Sequence, residues 1–475
     1  MAKNDKIRKR HKLAAFLKSF YINTRDQMDK LQHNASTLHA EFSWLEDVIE
    51  ARFNQYFKEQ RVSIFDISPP RLSRQSSQYS TLVKKHNMSF MERIVLLMAL
   101  APHVLPHLLD VFFIKNKTYD RAFSEFGGIF SKEHRGFFPT GETVCFVLAG
   151  NNLAQRLEVQ TLFSEEHFFF KEGILKLESE NPTDPLLSGA LQLSQEYIHY
   201  FTQGTPYYPK FSMKFPAERL RTKMEWDDLI LPDLTKEEVK DIILWVRYKD
   251  TLMNEWGMSK KLKRGLKTLF YGPPGTGKTL TASLLGKEIG MEVYRVDLSQ
   301  VVSKYIGETE KNLGSLFDQA ENKNWILFFD EADALFGSRT QTTSSNDRHA
   351  NQEVAYLLQR VEDYPGVVIL ASNLKGNIDA AFARRFQSMI LFPMPNIEQR
   401  LELWRRTFSP KAVMDKDVDL FDIAVEYELA GGAITNVVRY ASLKSLSRGT
   451  NIIQLNDILQ GIKKELRKEG KTITL

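Results

Sequence analysis

Cysteine is almost absent from the chain: Cys145 is the single one in 475 residues. One thiol cannot close an intrachain disulfide, and its apolar setting, TVCFVLAG, marks it as a buried structural residue, which excludes a disulfide-stapled secreted domain. Long apolar runs are missing too. The longest, Ile94 to Ala101, falls far short of the roughly 20 residues that a bilayer-spanning helix needs. Lys18 interrupts Leu13 to Phe20 after the basic start MAKNDKIRKRHK, so a secretory signal is not expected and a cytoplasmic location, with no membrane partner, is. Neither sign of charge dominates. The 64 basic and 59 acidic side chains leave a formal +5, too small a bias at this length to argue for nucleic acid. No internal repeat is visible.

What is present is a globular composition, 43% hydrophobic and 26% charged, in a chain long enough for two or three domains. Residues 1–35 form a basic arm. Residues 36–204 read as a mostly helical domain: Phe42, Leu45, Ile49, Phe53 and Tyr56 recur at helical spacing, so Leu38 to Lys58 is an amphipathic helix. A second apolar helix covers Phe90 to Leu100, with Pro102 and Pro106 limiting its extension. Two more helices flank Asn151-Asn152, and HFFFKEGILKLE reads as a hairpin of Phe168 to Phe170 with Ile174 to Leu177. Helix, turn, helix and hairpin suggest a winged-helix-like fold. Asp184-Pro185 is a helix start and Gly204 its stop. Residues 205–225, with Pro206, Pro209 and Pro216, read as a linker lying on the surface of the next domain.

From Trp226 onward the pattern changes. Short apolar runs at Thr268 to Tyr271, Glu292 to Val296, Ile326 to Phe329, Val367 to Ala371 and Met389 to Phe392 alternate with helical segments, which argues for an α/β domain over 226–395 with a parallel sheet. Residues 396–475 hold helical segments alone and read as a small lid.

GPPGTGKT, Gly272 to Thr279, follows the apolar strand TLFY and opens the helix that begins at Leu280, the context that the G-x-x-x-x-G-K-[ST] pattern requires. Gly272, Gly275 and Gly277 free the loop, with Pro273, Pro274 and Thr276 between them, to turn backbone N–H groups onto phosphate oxygens. Lys278 is expected at the β and γ phosphates of ATP, and Thr279 on Mg²⁺. A second apolar strand, ILFFDEAD, delivers Asp330 to the Mg²⁺ shell and Glu331 as the base for the attacking water. Asn373 ends VVILASN, where it can hold that water or the γ-phosphate from the side opposite Glu331. Arg384 and Arg385 follow in FARRF.

These motifs resemble the AAA branch of the AAA+ ATPases over Trp226 to about Leu475. Walker A, Walker B, DRHANQ (Asp347 to Gln352) and SNLKGNIDAAFARRF agree together, the last in the katanin and spastin form. The resemblance implies an AAA+ P-loop domain with a helical lid, ATP hydrolysis with Mg²⁺, and a ring of identical subunits, expected to be a hexamer, in which Arg384 and Arg385 reach the neighbour's site. It further implies base contacts at Asp228 to Ile230 in WDDLILP, and a substrate-gripping pore loop at Tyr305, Ile306 and Gly307, with Ser338 to Arg348 as a second pore element. Gly431-Gly432-Ala433 stands where other branches carry a sensor arginine, which leaves Arg439 as a charge on a helix face.

Three destinations for such a motor stay open: remodelling of a protein chosen by the N-terminal domain, an ATP-switched assembly role, or work on DNA. The overall layout also resembles bacterial ATPases of phage-tail-like contractile injection systems, which favours a large protein assembly. HFFFKEGILKLE is more aromatic and acidic than a phosphate-contacting wing, which disfavours nucleic acid.

Overall fold

The computed structural model describes residues 31–58, 63–72, 77–118, 120–129, 135–179, 181, 183–205, 207–212, 215–298, 308–333, 355–373, 383–468 and 470. The chain divides into two compact units, Met1–Tyr208 and Pro209–Leu475.

In the first unit, α1 covers residues 31–58, so helix reaches into the stretch expected to belong to the basic arm; residues 1–30 lie outside the described part. After α2 (Gln78–Lys85), α3 (Phe90–Val104) opens with a reciprocal cap between Ser89 and Glu92. Every residue from Arg93 to Pro102 is buried, which is why this apolar run serves a core. The helix passes through Pro102 rather than stopping there, because a proline near the last turn forfeits only one helical hydrogen bond. Among the described residues no single helix is long and apolar enough to cross a membrane. Buried Arg93 pairs with buried Glu41 of α1, whose carboxylate also accepts from the Tyr79 hydroxyl at 2.9 Å. Burial pushes the Glu41 carboxyl up, and Arg93 opposes that shift.

Helices α4 (Gly141–Ala149) and α5 (Leu153–Gln160) follow, with Cys145 buried in the first of them and its thiol pushed up to about 11 by that burial. The expected hairpin is corrected. Phe168–Lys171 is a helical turn, α6, capped by His167, whose Nδ1 accepts from the Phe169 N–H at 3.3 Å. Strand β1 (Leu175–Glu178) pairs instead with β2 (Ala190–Leu193), antiparallel, Leu175 opposite Leu193. Because Ala190–Leu193 is needed as that partner, only a single 3-10 turn, Leu186–Ser188, follows Asp184-Pro185; α7 spans Gln195–Gln203 and ends at Gly204, as expected, with φ +71°.

The second unit is built on a six-stranded sheet. Its strands are β3 (Glu218–Leu220), β4 (Leu266–Tyr271), β5 (Val293–Asp297), β6 (Ile326–Asp330), β7 (Val367–Ser372) and β8 (Ser388–Leu391), in spatial order β8-β4-β7-β6-β5-β3. All neighbours are parallel except β3, which runs antiparallel on β5. The five apolar runs read from sequence are these parallel strands; the central β4, β6 and β7 are buried almost throughout, as such sheets require, while in the edge strand β8 only Ile390 is buried. The linker reading of 205–225 is corrected: Phe215 and Ala217 are buried in the sheet's core and Glu218–Leu220 is its edge strand. Arg219 fixes that edge by pairing with Glu292.

Helices α8 (Asp233–Asp250), α9 (Lys278–Ile289), α10 (Glu308–Lys323) and α11 (residues 355–363) accompany the sheet. The lid follows as α12 (Ile397–Thr407), α13 (Leu420–Glu426), α14 (Gly431–Ser447) and α15 (Leu455–Lys468) around Trp404, Ile434, Val437 and Ile458. It also holds a short parallel pair, β9 (Val413–Met414) with β10 (Ile452–Ile453), where the sequence suggested helices alone.

Candidate active site

The first strand of the sheet's parallel set, β4, lies between β8 and β7, whereas the next long strand, β5, lies beyond β6. That reversal opens a crevice at the carboxyl ends of the strands, where open α/β sheets bind ligands. Register brings the ends together: Tyr271 lies opposite Ser372, and Asp297 opposite Asp330.

The phosphate loop leaves β4 at Gly272 and enters α9 at Lys278. Gly272, Gly275 and Gly277 have φ of +144°, +77° and +105°, a region that side-chain-bearing residues avoid. At Gly272 space also forbids a side chain, since a Cβ would lie 2.1 Å from the Phe392 carbonyl oxygen. Thr276 tightens the loop by donating to the Pro273 carbonyl at 2.9 Å. Lys278 is buried, and its Nζ donates to the carbonyls of Gly272 at 2.7 Å and Pro273 at 2.9 Å and to Asn373 Oδ1 at 3.0 Å. Burial lowers its pKa to about 8, against the opposing pull of Asp330 and Asp333. A buried ammonium with neutral oxygen partners and, among the described residues, no direct counter-ion is suited to an incoming polyanion. Thr279 and Leu280 follow Lys278 in the first turn of α9, where helix N-terminal amides favour an anion.

Asp330 ends β6 and pairs with Arg295 of β5 at 2.9 Å. Glu331 follows with φ +55° and is exposed. The other described non-glycine residues at positive φ are asparagines and an aspartate, which tolerate it; a glutamate there is held by its surroundings, as functional residues often are. The turn separates the two adjacent carboxylates, with Asp330 Oδ1 accepting the Glu331 N–H at 3.1 Å.

Two residues escaped the sequence reading. Asp333 accepts from the Ser372 hydroxyl and from the Asn373 N–H, the latter at 3.2 Å, and so fixes the strand end that carries Asn373. Arg295 occupies the place of a counter-ion to Asp330. The last acid of DEAD and the arginine set within the strand VYRVD were the available signals.

The lid closes on the loop through backbone. The Gly432 N–H donates to the Gly275 carbonyl at 3.0 Å, and a Cβ on Gly432 would lie 3.2 Å from Gly275 Cα. Close approach thus favours a glycine at 432, whereas a Cβ at 431 would make only ordinary contacts of 3.5 Å or more; Arg439 stays exposed and donates to Asn436 at 3.1 Å.

Asp228 and Ile230 are placed less simply than expected. Leu229 and Leu231 flank the phosphate loop, at 3.0 and 3.9 Å from a Cβ built on Gly277. Asp228 instead caps its own turn, accepting from the Glu225 N–H at 2.8 Å, and Ile230 lines a cavity of ≈ 530 Å³ with Trp226, Val239, Ile243 and Arg406. None of residues 272–279 lines that cavity, but Leu229 borders both it and the phosphate loop. Arg384 and Arg385 lie on an exposed turn before β8; Arg385 pairs with Glu362 of α11. Tyr305, Ile306 and Gly307, Ser338 to Arg348 and Asp347 to Gln352 lie outside the described residues.

A glycine cradle at a helix N-terminus, a buried lysine and an apolar strand ending in Asp-Glu define a P-loop nucleoside triphosphatase. Residues 268–394 match the ATPase family associated with various cellular activities, AAA, and the chain therefore carries an AAA ATPase domain. It is similar to cell division protein C of Sulfolobus acidocaldarius, 32% identical over 47% of this chain and 60% of that protein. It is also similar to the proteasome-activating nucleotidase of Aeropyrum pernix (35%; 41% of this chain, 50% of that one) and to a human katanin p60-like ATPase (31%; 51% of each). The chain thus spans about half to three fifths of the length of these relatives.

Proposed function

We propose that the chain hydrolyses ATP at sites completed by neighbouring copies in a ring, and spends that energy on remodelling or assembling a protein target selected by its first unit. The observation that carries this reading is Lys278: buried, held by Gly272, Pro273 and Asn373, and set between the phosphate loop and the ends of β6 and β7. Phosphate oxygens entering the cradle replace the carbonyls as partners of its ammonium and gain a full charge pairing. Asn373 Oδ1, freed from Lys278, then faces the water on which Glu331 acts as base.

Thr279 and Asp330 are the residues that would hold Mg²⁺. Among the described residues no group of three or more acids, histidines or cysteines forms a metal cage. Mg²⁺ binds through one or two protein oxygens, phosphates and water, and held by Thr279 and Asp330 it would supply charge neutralisation to the triphosphate. Arg384 is the cation offered to a neighbour's γ-phosphate, where such a group is worth about 10³–10⁵ in rate. The relatives named for activating the proteasome and for katanin support a protein target and an assembled ring.

The test is the Glu331→Gln variant. It is expected to bind ATP and stall with it, with kcat down at least about 100-fold, and affinity capture in ATP should retain a protein partner. Turnover at the parent rate would remove Glu331 from the base role, and retention of DNA in place of protein would overturn the proposed target class.

A further inference from the structure

The turn that carries the two arginines is a closed one. The Phe386 N–H donates to the Ala383 carbonyl at 3.2 Å, which places Arg384 and Arg385 at its two central positions. The turn is tied down beyond those positions: the Gln387 N–H donates to the Lys267 carbonyl at 3.0 Å, and Gln387 Oε1 accepts from the Lys267 N–H at 2.7 Å. These bonds anchor it to β4, the strand that leads into the phosphate loop. On the other side Arg385 is bound to Glu362, near the end of α11. Arg384 is exposed and makes no ion pair among the described residues. Adjacent residues at the tip of a turn point apart, so the guanidinium that grips α11 and the guanidinium that reaches outward belong to different arginines.

We propose that the two arginines divide the work: Arg384 is the group presented to the neighbouring copy's nucleotide, and Arg385 with Glu362 is a positioning pair that sets the turn's orientation. This rests on the ring reading above and deepens it by assigning a role to Glu362. The pair is about 44% and 36% exposed, so it contributes little to global stability. Its effect falls on geometry, where a displacement of about 1 Å can cost on the order of 100-fold in rate.

The experiment measures kcat, KM and nucleotide affinity for Arg384→Ala, Arg385→Ala, Glu362→Gln and the charge swap Glu362→Arg/Arg385→Glu. Arg384→Ala should lose about 10³-fold or more in kcat. Arg385→Ala and Glu362→Gln should each lose about 10- to 100-fold in kcat with nucleotide affinity unchanged, and together no more than either alone. The charge swap should recover most of that loss, because it restores the tether with its polarity reversed. A swap as inactive as Arg384→Ala, or an active Glu362→Gln, would overturn the division of labour. Mixing Arg384→Ala with Lys278→Ala copies tests the underlying ring reading separately: recovered turnover supports action in trans, and its absence overturns that reading whatever the swap does.

Discussion

Lys278 is the residue whose chemistry the sequence could name but whose energetics only burial sets. Its amine sits near pKa 8 instead of 10.5 because it is desolvated. Between those values the folded chain has released a proton that the unfolded chain still holds, so stability rises with pH across that window and the charged form is the costly one. Lys267 behaves alike: buried on β4 with its Nζ on the Tyr364 carbonyl at 2.6 Å, it is also lowered to about 8 by desolvation. Nucleotide binding has the opposite dependence, since phosphates need the ammonium. ATP affinity should therefore weaken above pH ~8 by up to about tenfold per unit, and Lys278→Arg, weaker overall but always charged, should lose that slope. Equal slopes in equilibrium titrations of the two proteins would assign the effect elsewhere.

At the scale of elements, strand ends and the turns that leave them build the site. Gly272 and Gly449 both sit at positive φ, but a Cβ at Gly449 meets nothing within 4 Å whereas one at Gly272 meets the Phe392 carbonyl. Alanine at 449 should cost only the backbone strain of about 1–2 kcal/mol. Alanine at 272 should cost several kcal/mol by adding a steric clash to that strain, and should abolish nucleotide binding; equal melting temperatures for the two variants would contradict this. Helix α3 shows the same dependence on place. Read alone, its apolar run and Pro102 suggested an early stop, yet a proline in the last turn gives up only its own helical hydrogen bond and the helix runs on to Val104.

On the scale of the whole molecule, each unit closes a core of its own, and residues 209–475 contain the sheet, the lid and every described residue of the phosphate site. A chain trimmed to 209–475 should therefore bind nucleotide with the affinity of the full protein. One trimmed to 226–475, where the sequence put the domain's start, loses β3, Phe215 and Ala217. Removal of a buried phenylalanine alone costs about 3–5 kcal/mol, so its thermal unfolding should come well below that of 209–475; coincident transitions would show that the edge strand adds nothing.

The phosphate loop, the Asp-Glu strand end and the five parallel strands were legible in the sequence because their causes are local. A glycine at positive φ, an apolar run of strand length and a lysine opening a helix each declare themselves within a few residues. What stayed hidden depends on residues distant in the chain. Leu175–Glu178 takes its partner from Ala190–Leu193 rather than from the adjacent phenylalanines, and Glu218–Leu220 becomes a strand only because the edge of β5 offers hydrogen bonds. Asp333 matters through Ser372 and Asn373, and Arg385 parts from Arg384 through Glu362. A sequence can specify which groups a site contains. Which of two adjacent acids or arginines reaches the substrate is a matter of direction, and direction is fixed by hydrogen bonds and ion pairs between segments that only the folded chain brings together.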